Sequence, residues 1–417
     1  MTQVRSRSAG ERNHAGSPPN KTPVSFDEAV LQVTRFAKPI GTEHVPIGDA
    51  AGRVLAAPAI AQRTAPPAAV SAMDGYAVRD ADVRDAPTYL NVAGKSFAGT
   101  GFRGMMEAGE CVRIFTGAAI PQGAERVVMQ EDVACDGDRV FFPAVPAGQR
   151  HIRAAGSDFS TGDIVVPAGR VLKPQHLIAT AAADLDEVEV YRRPRIAILC
   201  CGDELVPPGI ARTRDDRIPE SISVGVGALC QTWGGDVTGH YLLPDDLAAL
   251  EQAASSALHS SDLVVVVAGA SVGERDFARM ALSHCGMRLV FAKVAIKPGK
   301  PVWLGDANGT PVIGLPGNPT SALVTARLLL APLVAGLSGR DPLSALTWRL
   351  LRVKGLIVPS SDRDVFVRAS LAEGYAEPLE NQDSAAQKAL ANADVLIRVR
   401  SGPDTGSTDP LMETLDL

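Results

Sequence analysis

The sequence predicts a multidomain chain in which a central, doubly wound parallel α/β domain lies between an N-terminal β domain and a small C-terminal β domain. Three observations carry this. The chain has 417 residues, more than the roughly 250–300 at which a single core stops growing. From residue 195 onward, short continuous apolar runs alternate with helical segments, the pattern of strands covered on both faces. On either side, short apolar runs are broken by Gly, Asp and Pro, as in small β domains.

Residues 1–22 are polar, contain Pro18 and Pro19, and are expected to be a disordered tail. Ser25 and Glu28 form a capping box ahead of the apolar face Ala29, Val30, Val33 and Phe36, which predicts a helix. A second short helix is expected over 45–57, ending before Pro58. A loop rich in Pro and Ala follows (Pro66, Pro67, Ala68, Ala69). Strands are expected over 89–92, 111–115, 126–129 and 140–142, and a helix over 175–183.

The α/β pattern starts at the apolar run 196–200. It continues through a helix over 222–232, a strand over 236–241, an Ala-rich helix over 246–258 and the buried strand 263–267. After a Gly-rich loop come a helix around 277–282, a strand over 311–315 and a long helix from Pro319. The C-terminal strands are expected over 347–353, 365–369 and 395–399.

Composition excludes several classes. Hydrophobic residues are 46% and charged residues 21%, which rules out bulk disorder. The net charge is −6 and aromatics are 5%, so neither a basic face nor a stacking platform for nucleic acid is indicated. The six cysteines show no Cys-x-x-Cys spacing and read as reduced thiols of a cytoplasmic protein. No apolar stretch follows Arg5, Arg7 and Arg12, so no secretory signal is expected. The apolar stretch 322–337 contains Thr325, Arg327 and Pro332, and reads as a buried helix, not a membrane span.

Three loops follow three strands of the α/β region: Gly-Asp-Glu-Leu at 202–205, Gly-Ala-Ser-Val-Gly at 269–273, and Leu-Pro-Gly-Asn-Pro at 315–319. In an open parallel sheet such loops share one edge, where ligands bind. Two of them suit close approach of backbone N–H groups to an anion. The first offers Asp203 and Glu204, which suit a hard cation such as Mg²⁺ bridging to phosphate. Lys293, Lys297 and Lys300 lie within eight positions around Pro298, Gly299 and Pro301, in a chain where arginine carries most positive charge. Lysine is a compact donor for oxyanions. There is no Walker A sequence, Gly-x-Ser-x-Gly elbow or His-Glu-x-x-His. His151, His176 and His284 stand alone and read as structural.

Seven motifs occur in a fixed order. They are Ser-Ala-Met-Asp-Gly-Tyr-Ala at 71–77, Arg-Ile-Phe-Thr-Gly-Ala at 113–118, Val-Val-Met-Gln-Glu at 127–131, the 202–205 loop, Ser-Val-Gly-Glu-Arg-Asp at 271–276, Ile-Lys-Pro-Gly-Lys-Pro at 296–301 and the 315–319 loop. As a set they closely resemble the molybdopterin molybdenumtransferase family (MoeA and the E domain of gephyrin), from about residue 23 to the C-terminus. The resemblance implies an elongated cytoplasmic homodimer. Each subunit would have a discontinuous helical domain (23–66 plus 151–190), a β domain (67–150), a molybdopterin-binding-type α/β domain (191–340) and a β-barrel-like C-terminal domain (341–417). It implies insertion of molybdate into adenylated molybdopterin, with release of AMP and dependence on Mg²⁺. It also implies a molybdopterin adenylyltransferase as a partner, and neither nucleic acid nor membrane.

By the same resemblance, Asp203 and Glu204 serve the Mg²⁺ and the adenylate, and Lys293, Lys297 and Lys300 hold phosphate or molybdate. Gly269, Ser271, Gly273 and Asp276 line the nucleotide–pterin pocket with Asp245, Pro316, Gly317 and Asn318. Asp74, Thr116 and Asp158 come from the N-terminal domains. The sequence departs from the family pattern at Ala69–Val70, where an acidic residue and Asn usually stand. It departs again at Ala268–Gly269–Ala270, at Ile218–Pro219–Glu220–Ser221 and at Gln382–Asp383–Ser384. These departures leave two functional classes to compare: the transferase itself, and a catalytically weakened paralogue that binds pterin or protein as a scaffold.

Overall fold

The computed structural model describes residues 22–144, 148–268, 277–355, 360, 362–402 and 410–417. The chain forms two compact units, one of Glu43–Val190 and one combining the residues up to Thr42 with Tyr191–Leu417.

In the first unit, a six-stranded sheet runs in the order Arg126–Met129, Gly75–Val78, Glu110–Ile114, Thr88–Ser96, Arg139–Phe142, Ala134–Asp136. Alternation along the strands covers both faces. Tyr76, Val78, Leu90, Cys111 and Phe142 pack on one side, and Ala77, Val112, Ile114 and Val127 on the other. Gly75 is obligatory, because a Cβ there would lie 2.0 Å from the Val128 carbonyl oxygen.

The rest of this unit is discontinuous in sequence. Val70–Ser71 pairs with Ile152–Arg153 and Ala59–Ile60 with Ile164–Val166. The helix expected over 45–57 is not formed. Thr42–Pro46 is a strand beside Glu187–Tyr191, followed by a single 3₁₀ turn at Ile47–Asp49. The reason is tertiary. Gly52 takes a positive φ of 73°, and the N–H groups of Leu55 and Ala56 bond to the carbonyls of Arg170 and Glu189, both at 2.9 Å. Long-range pairing thus takes the donors that a helix would have used locally. The expected helix over 175–183 is present as Pro174–Ala182.

In the second unit, the helix Phe26–Phe36 is capped by Ser25, whose Oγ accepts from the Glu28 N–H at 3.2 Å. It buries Phe26, Ala29 and Val33 in the α/β core, and Phe26 meets Phe366 edge-on at 5.0 Å. The helix therefore packs with 191–417, and not with 151–190 as expected from sequence.

The α/β sheet runs Asp236–Leu243, Arg195–Cys201, Leu263–Val267, Thr310–Leu315, Trp303–Ala307, Met287–Phe291. The first four strands are parallel; Trp303–Ala307 runs antiparallel to both of its neighbours, so the outermost strand Met287–Phe291 again points the same way as the first four. This antiparallel strand sits near the edge of an otherwise parallel, doubly wound sheet of the kind expected from the alternating strands and helices. Its cause is the hairpin turn Asn308–Gly309, where both residues have positive φ (54° and 96°), the combination that two-residue hairpins favour. Alternation splits the parallel strands between two cores. Ile196, Ile198 and Cys200 face helices Ile222–Thr232 and Phe26–Phe36. Ala197, Leu199 and Cys201 face helices Leu247–Ser260 and Phe277–His284. The apolar helical stretch Pro319–Leu337 has mean hydropathy 1.6 but is 94% buried inside the protein, which makes it a core helix.

Five C-terminal strands close on themselves as a barrel: Asp364–Ala372, Tyr375–Pro378, Arg349–Val353, Leu411–Asp416 and Val395–Val399, the last returning to the first. Ile296–Lys297 adds to the barrel in parallel, with Lys297 opposite Val365. That pairing brings the lysine loop against the barrel.

Candidate active site

Strand register builds the first part of the site. Cys201 is paired with Leu243, Cys200 with Val267, and Val267 with Leu315. Four strands therefore end together, and the chain leaves them at Gly202, Pro244, Ala268 and Pro316. Adjacent strands lie about 4.8 Å apart, so the 202 and 316 loops stand roughly 10 Å apart across the sheet edge.

Asp203 and Asp245 are joined there. The Asp245 N–H donates to Asp203 Oδ1 at 3.2 Å. Asp246 caps the next helix by accepting from the Ala249 N–H at 2.9 Å. Glu204 folds its carboxylate back over Gly202, where an added Cβ would meet Oε2 at 2.8 Å. Gly317 packs against Ala268, with only 3.2 Å available between a built Cβ and that of Ala268. Gly269, Ser271, Gly273 and Asp276 lie outside the described residues.

The second part is a cavity of about 580 Å³ between the lysine loop, the start of the 319–337 helix and the barrel. Its polar lining is Lys297, Lys300, Arg363, Ser321, Gln382, Asp383 and Ser384. Lys297 and Lys300 are exposed and Gly299 between them is buried. Gly299 has φ 102°, and a Cβ there would lie 2.1 Å from Thr325 Cγ2, so only glycine fits this turn. Lys293 stands apart from the lining. Its carbonyl accepts from the Val24 N–H at 3.0 Å, which places it in the scaffold behind the loop. Arg363 comes forward from Asp362, whose Oδ1 accepts from its Nε at 2.9 Å.

A second cavity of about 390 Å³ lies beside the edge strand Asp236–Leu243. Its lining includes Cys200, Glu220, Ser223 and His240 but neither lysine nor arginine. Burial first, then the Glu220 carboxylate, push the Cys200 thiol well above the usual range. Glu220 accepts from the Ser223 N–H at 2.8 Å, so the departure at 218–221 places a helix-capping carboxylate here. An oxyanion is repelled by this lining and attracted by the first.

Asp74 and Thr116 are brought together in the Glu43–Val190 unit. Asp74 Oδ1 accepts from the Thr116 N–H at 2.7 Å and from Oγ1 at 2.8 Å. The Thr116 N–H, then its hydroxyl, hold the Asp74 carboxyl below the usual range. Asp158 is exposed on a turn, its N–H donating to the Ala65 carbonyl at 3.1 Å.

Sequence reasoning missed Ser321 and Arg363 as lining residues and treated Ser384 only as a departure from a pattern. All three belong to the cavity because the barrel folds back onto the α/β domain. Asn318 Nδ2 donates to Ser384 Oγ at 3.2 Å, and the Thr320 N–H donates to the Ser384 carbonyl at 3.2 Å.

Two family models match the chain. The MoeA N-terminal region (domain I and II) matches residues 24–183, and a probable molybdopterin-binding domain matches residues 197–336. A molybdopterin molybdenumtransferase from Haemophilus influenzae is 40% identical over 303 residues, 72% of this chain and 74% of that protein. Molybdopterin molybdenumtransferase 2 from Mycobacterium tuberculosis is 33% identical over 314 residues, covering 73% and 76%. The crystal structure of the molybdopterin biosynthesis MoeA protein from Pyrococcus horikosii superposes with a TM-score of 0.78 at 27% identity, covering 95% of this chain and 99% of that one. With motifs, fold and relatives in agreement, the chain belongs to the MoeA-type molybdopterin molybdenumtransferase family.

Proposed function

We propose that this protein is a molybdopterin molybdenumtransferase that inserts molybdate into the dithiolene of adenylated molybdopterin and releases AMP. The observation that carries the reading is the cavity lined by Lys297, Lys300 and Arg363, tied through Ser384 and Asn318 to the sheet edge that bears Asp203. A tetrahedral oxyanion suits the cavity, and the nucleotide phosphates suit the edge. The scaffold alternative is not favoured, because the carboxylates and lysines are kept and the relatives are named as transferases.

Asp203 and Glu204 supply oxygen donors only, on the loop where substrate phosphates would lie. Among the described residues no three His, Cys, Asp or Glu side chains cluster as a metal cage. That donor set fits Mg²⁺, which is commonly held by one or two carboxylates together with substrate phosphates and water. When bound, Mg²⁺ would neutralise charge on the breaking phosphoanhydride. Lys297, Lys300 and Arg363 hold and orient the molybdate, and Ser321 and Ser384 offer hydroxyl hydrogen bonds. Asp245 keeps Asp203 in place through its N–H. Asp74, held by Thr116, and Asp158 are substrate-contacting carboxylates in this reading, and Pro316, Gly317 and Asn318 shape the nucleotide edge. Family resemblance assigns Gly269, Ser271, Gly273 and Asp276, which lie outside the described residues, to the same nucleotide–pterin pocket. Lys293 supports the lysine loop. We further propose a cytoplasmic homodimer that receives its substrate from a molybdopterin adenylyltransferase.

The test is AMP release from adenylated molybdopterin with Mg²⁺ and molybdate. Release should depend on molybdate, and Arg363→Ala or Lys297→Ala should weaken molybdate binding roughly tenfold or more, the worth of one charged hydrogen bond. Tight pterin binding with no release above blank would instead support the scaffold reading. Complementation of a strain lacking its own molybdenumtransferase checks the same point in cells.

A further inference from the structure

Three of the seven motifs converge on one cluster in the Glu43–Val190 unit. The strand Gly75–Val78 lies between Glu110–Ile114 and Arg126–Met129, with Tyr76 opposite Arg113 and Gly75 opposite Met129. Residues directly opposite in an antiparallel pair share a face, which brings the Arg113 side chain over the Tyr76 ring. Its guanidinium lies 5.0 Å from the centre of that ring and 4.9 Å from that of Phe115. Phe97 stacks on Phe115 at 4.7 Å, with the two planes 8° apart. Flat ring faces on the flat guanidinium limit how it can turn.

The fork is used twice. Nη1 donates to the Gly75 carbonyl at 3.1 Å, and Nη2 donates to Gln130 Oε1. Gln130 gives its main-chain N–H to the Asp74 carbonyl at 3.1 Å, and its Nε2 donates to Glu131 Oε1 at 3.3 Å. Arg113 and Gln130 thus hold two successive carbonyls, those of Asp74 and Gly75. On the other side of the turn, Ser71 Oγ accepts from the Met73 N–H at 3.3 Å. Among the described residues no carboxylate forms an ion pair with Arg113. Both of its acceptors are neutral oxygens, which an uncharged donor could satisfy. Its charge reaches Asp74: the Thr116 N–H and hydroxyl do most to hold that carboxyl low, and Arg113 adds to them.

We propose that Arg113 is a positioning residue for Asp74, clamping its turn through Gly75 and Gln130 so that the carboxylate stands fixed where substrate meets it. The proposal rests on the reading that Asp74 contacts substrate. A group already in place when substrate arrives needs no ordering during the reaction.

The experiment is a double-mutant cycle on molybdate-dependent AMP release by the full chain, with adenylated molybdopterin and Mg²⁺. Asp74→Asn and Arg113→Met should each lower kcat/KM, Arg113→Met by roughly tenfold, the worth of one charged hydrogen bond. The double variant should be no slower than Asp74→Asn alone, because residues that act through one another do not add. Arg113→Lys keeps the charge without the fork and should recover part of the loss. Carboxyl-carbon NMR should show the Asp74 titration midpoint raised in Arg113→Met, and less so in Arg113→Lys. A folded Arg113→Met protein with wild-type kcat/KM, or with an unmoved Asp74 midpoint, overturns the proposal. So do losses that multiply in the double variant, since that is general damage to the sheet. If Arg113→Met does not fold, Arg113→Lys takes its place in the cycle and the same outcomes overturn it. If Asp74→Asn leaves AMP release unchanged, the substrate-contact reading of Asp74 falls first and this proposal with it.

Discussion

Asn318 donates from Nδ2 to the Ser384 hydroxyl at 3.2 Å, across 66 positions of sequence. The bond joins the end of a parallel strand to a loop of the C-terminal barrel. It does this where the start of the 319–337 helix closes one side of the cavity lined by Lys297, Lys300 and Arg363.

Ser384→Ala removes that hydroxyl and leaves the main-chain bond to Thr320. The expected cost in stability is modest, about 0.5–1.5 kcal/mol, read from denaturant unfolding. Molybdate-dependent AMP release should fall more steeply than stability, because the same hydroxyl lines the cavity. Equal activity at saturating molybdate and an unchanged KM would remove Ser384 from the site.

Gly299→Ala is expected to damage the cavity from within. The new methyl would have to displace the buried Thr325 side chain, and φ 102° is strained for any residue with a Cβ. Overpacking and a left-handed alanine together should cost about 1–3 kcal/mol. A thermal midpoint equal to wild type would contradict the geometry.

Asp74 should titrate below the ordinary aspartate range near 3.9. Its folded pKa is depressed, so its bonds to Thr116 stabilise the fold above that range. The contribution is lost as pH falls through the lowered value. Thr116→Val deletes the hydroxyl but keeps the stronger N–H bond, so the Asp74 carboxyl should move part of the way back up. Carboxyl-carbon NMR titration of the two proteins checks this, and an identical midpoint in both would refute it.

Asp203→Asn combined with Glu204→Gln removes both anionic oxygens from the sheet edge and should abolish the Mg²⁺ dependence of AMP release. The Asp245 N–H can still donate to the amide oxygen at position 203, so the loop should hold its shape and circular dichroism should not change. An unaltered Mg²⁺ titration would take the metal away from these residues.

Much of this molecule was legible before folding was considered. The runs 196–200 and 263–267 had to be strands covered on both faces, and Ser25 and Glu28 marked a helix start that the structure keeps. The lysine loop and the Asp203 loop also stood out by composition alone. Local chemistry decides such features, because apolar period, capping and turn residues act within a few positions.

Other features had no local signature. The segment 45–57 carries apolar residues that suit a helix, yet the N–H groups of Ile47, Gly52, Leu55 and Ala56 are taken by carbonyls more than a hundred positions away. The antiparallel edge followed from Asn308–Gly309, a short signal inside a long α/β pattern. Ser321, Arg363 and Ser384 became part of the cavity only when the barrel closed and met the helix start. The sequence by itself determined which chemistry the chain carries: carboxylates on one strand loop, and cations on another loop and in the last domain. Only the tertiary structure decided which of those groups share a cavity, because contacts between residues far apart in sequence depend on how sheets pair and close, and no local pattern encodes that.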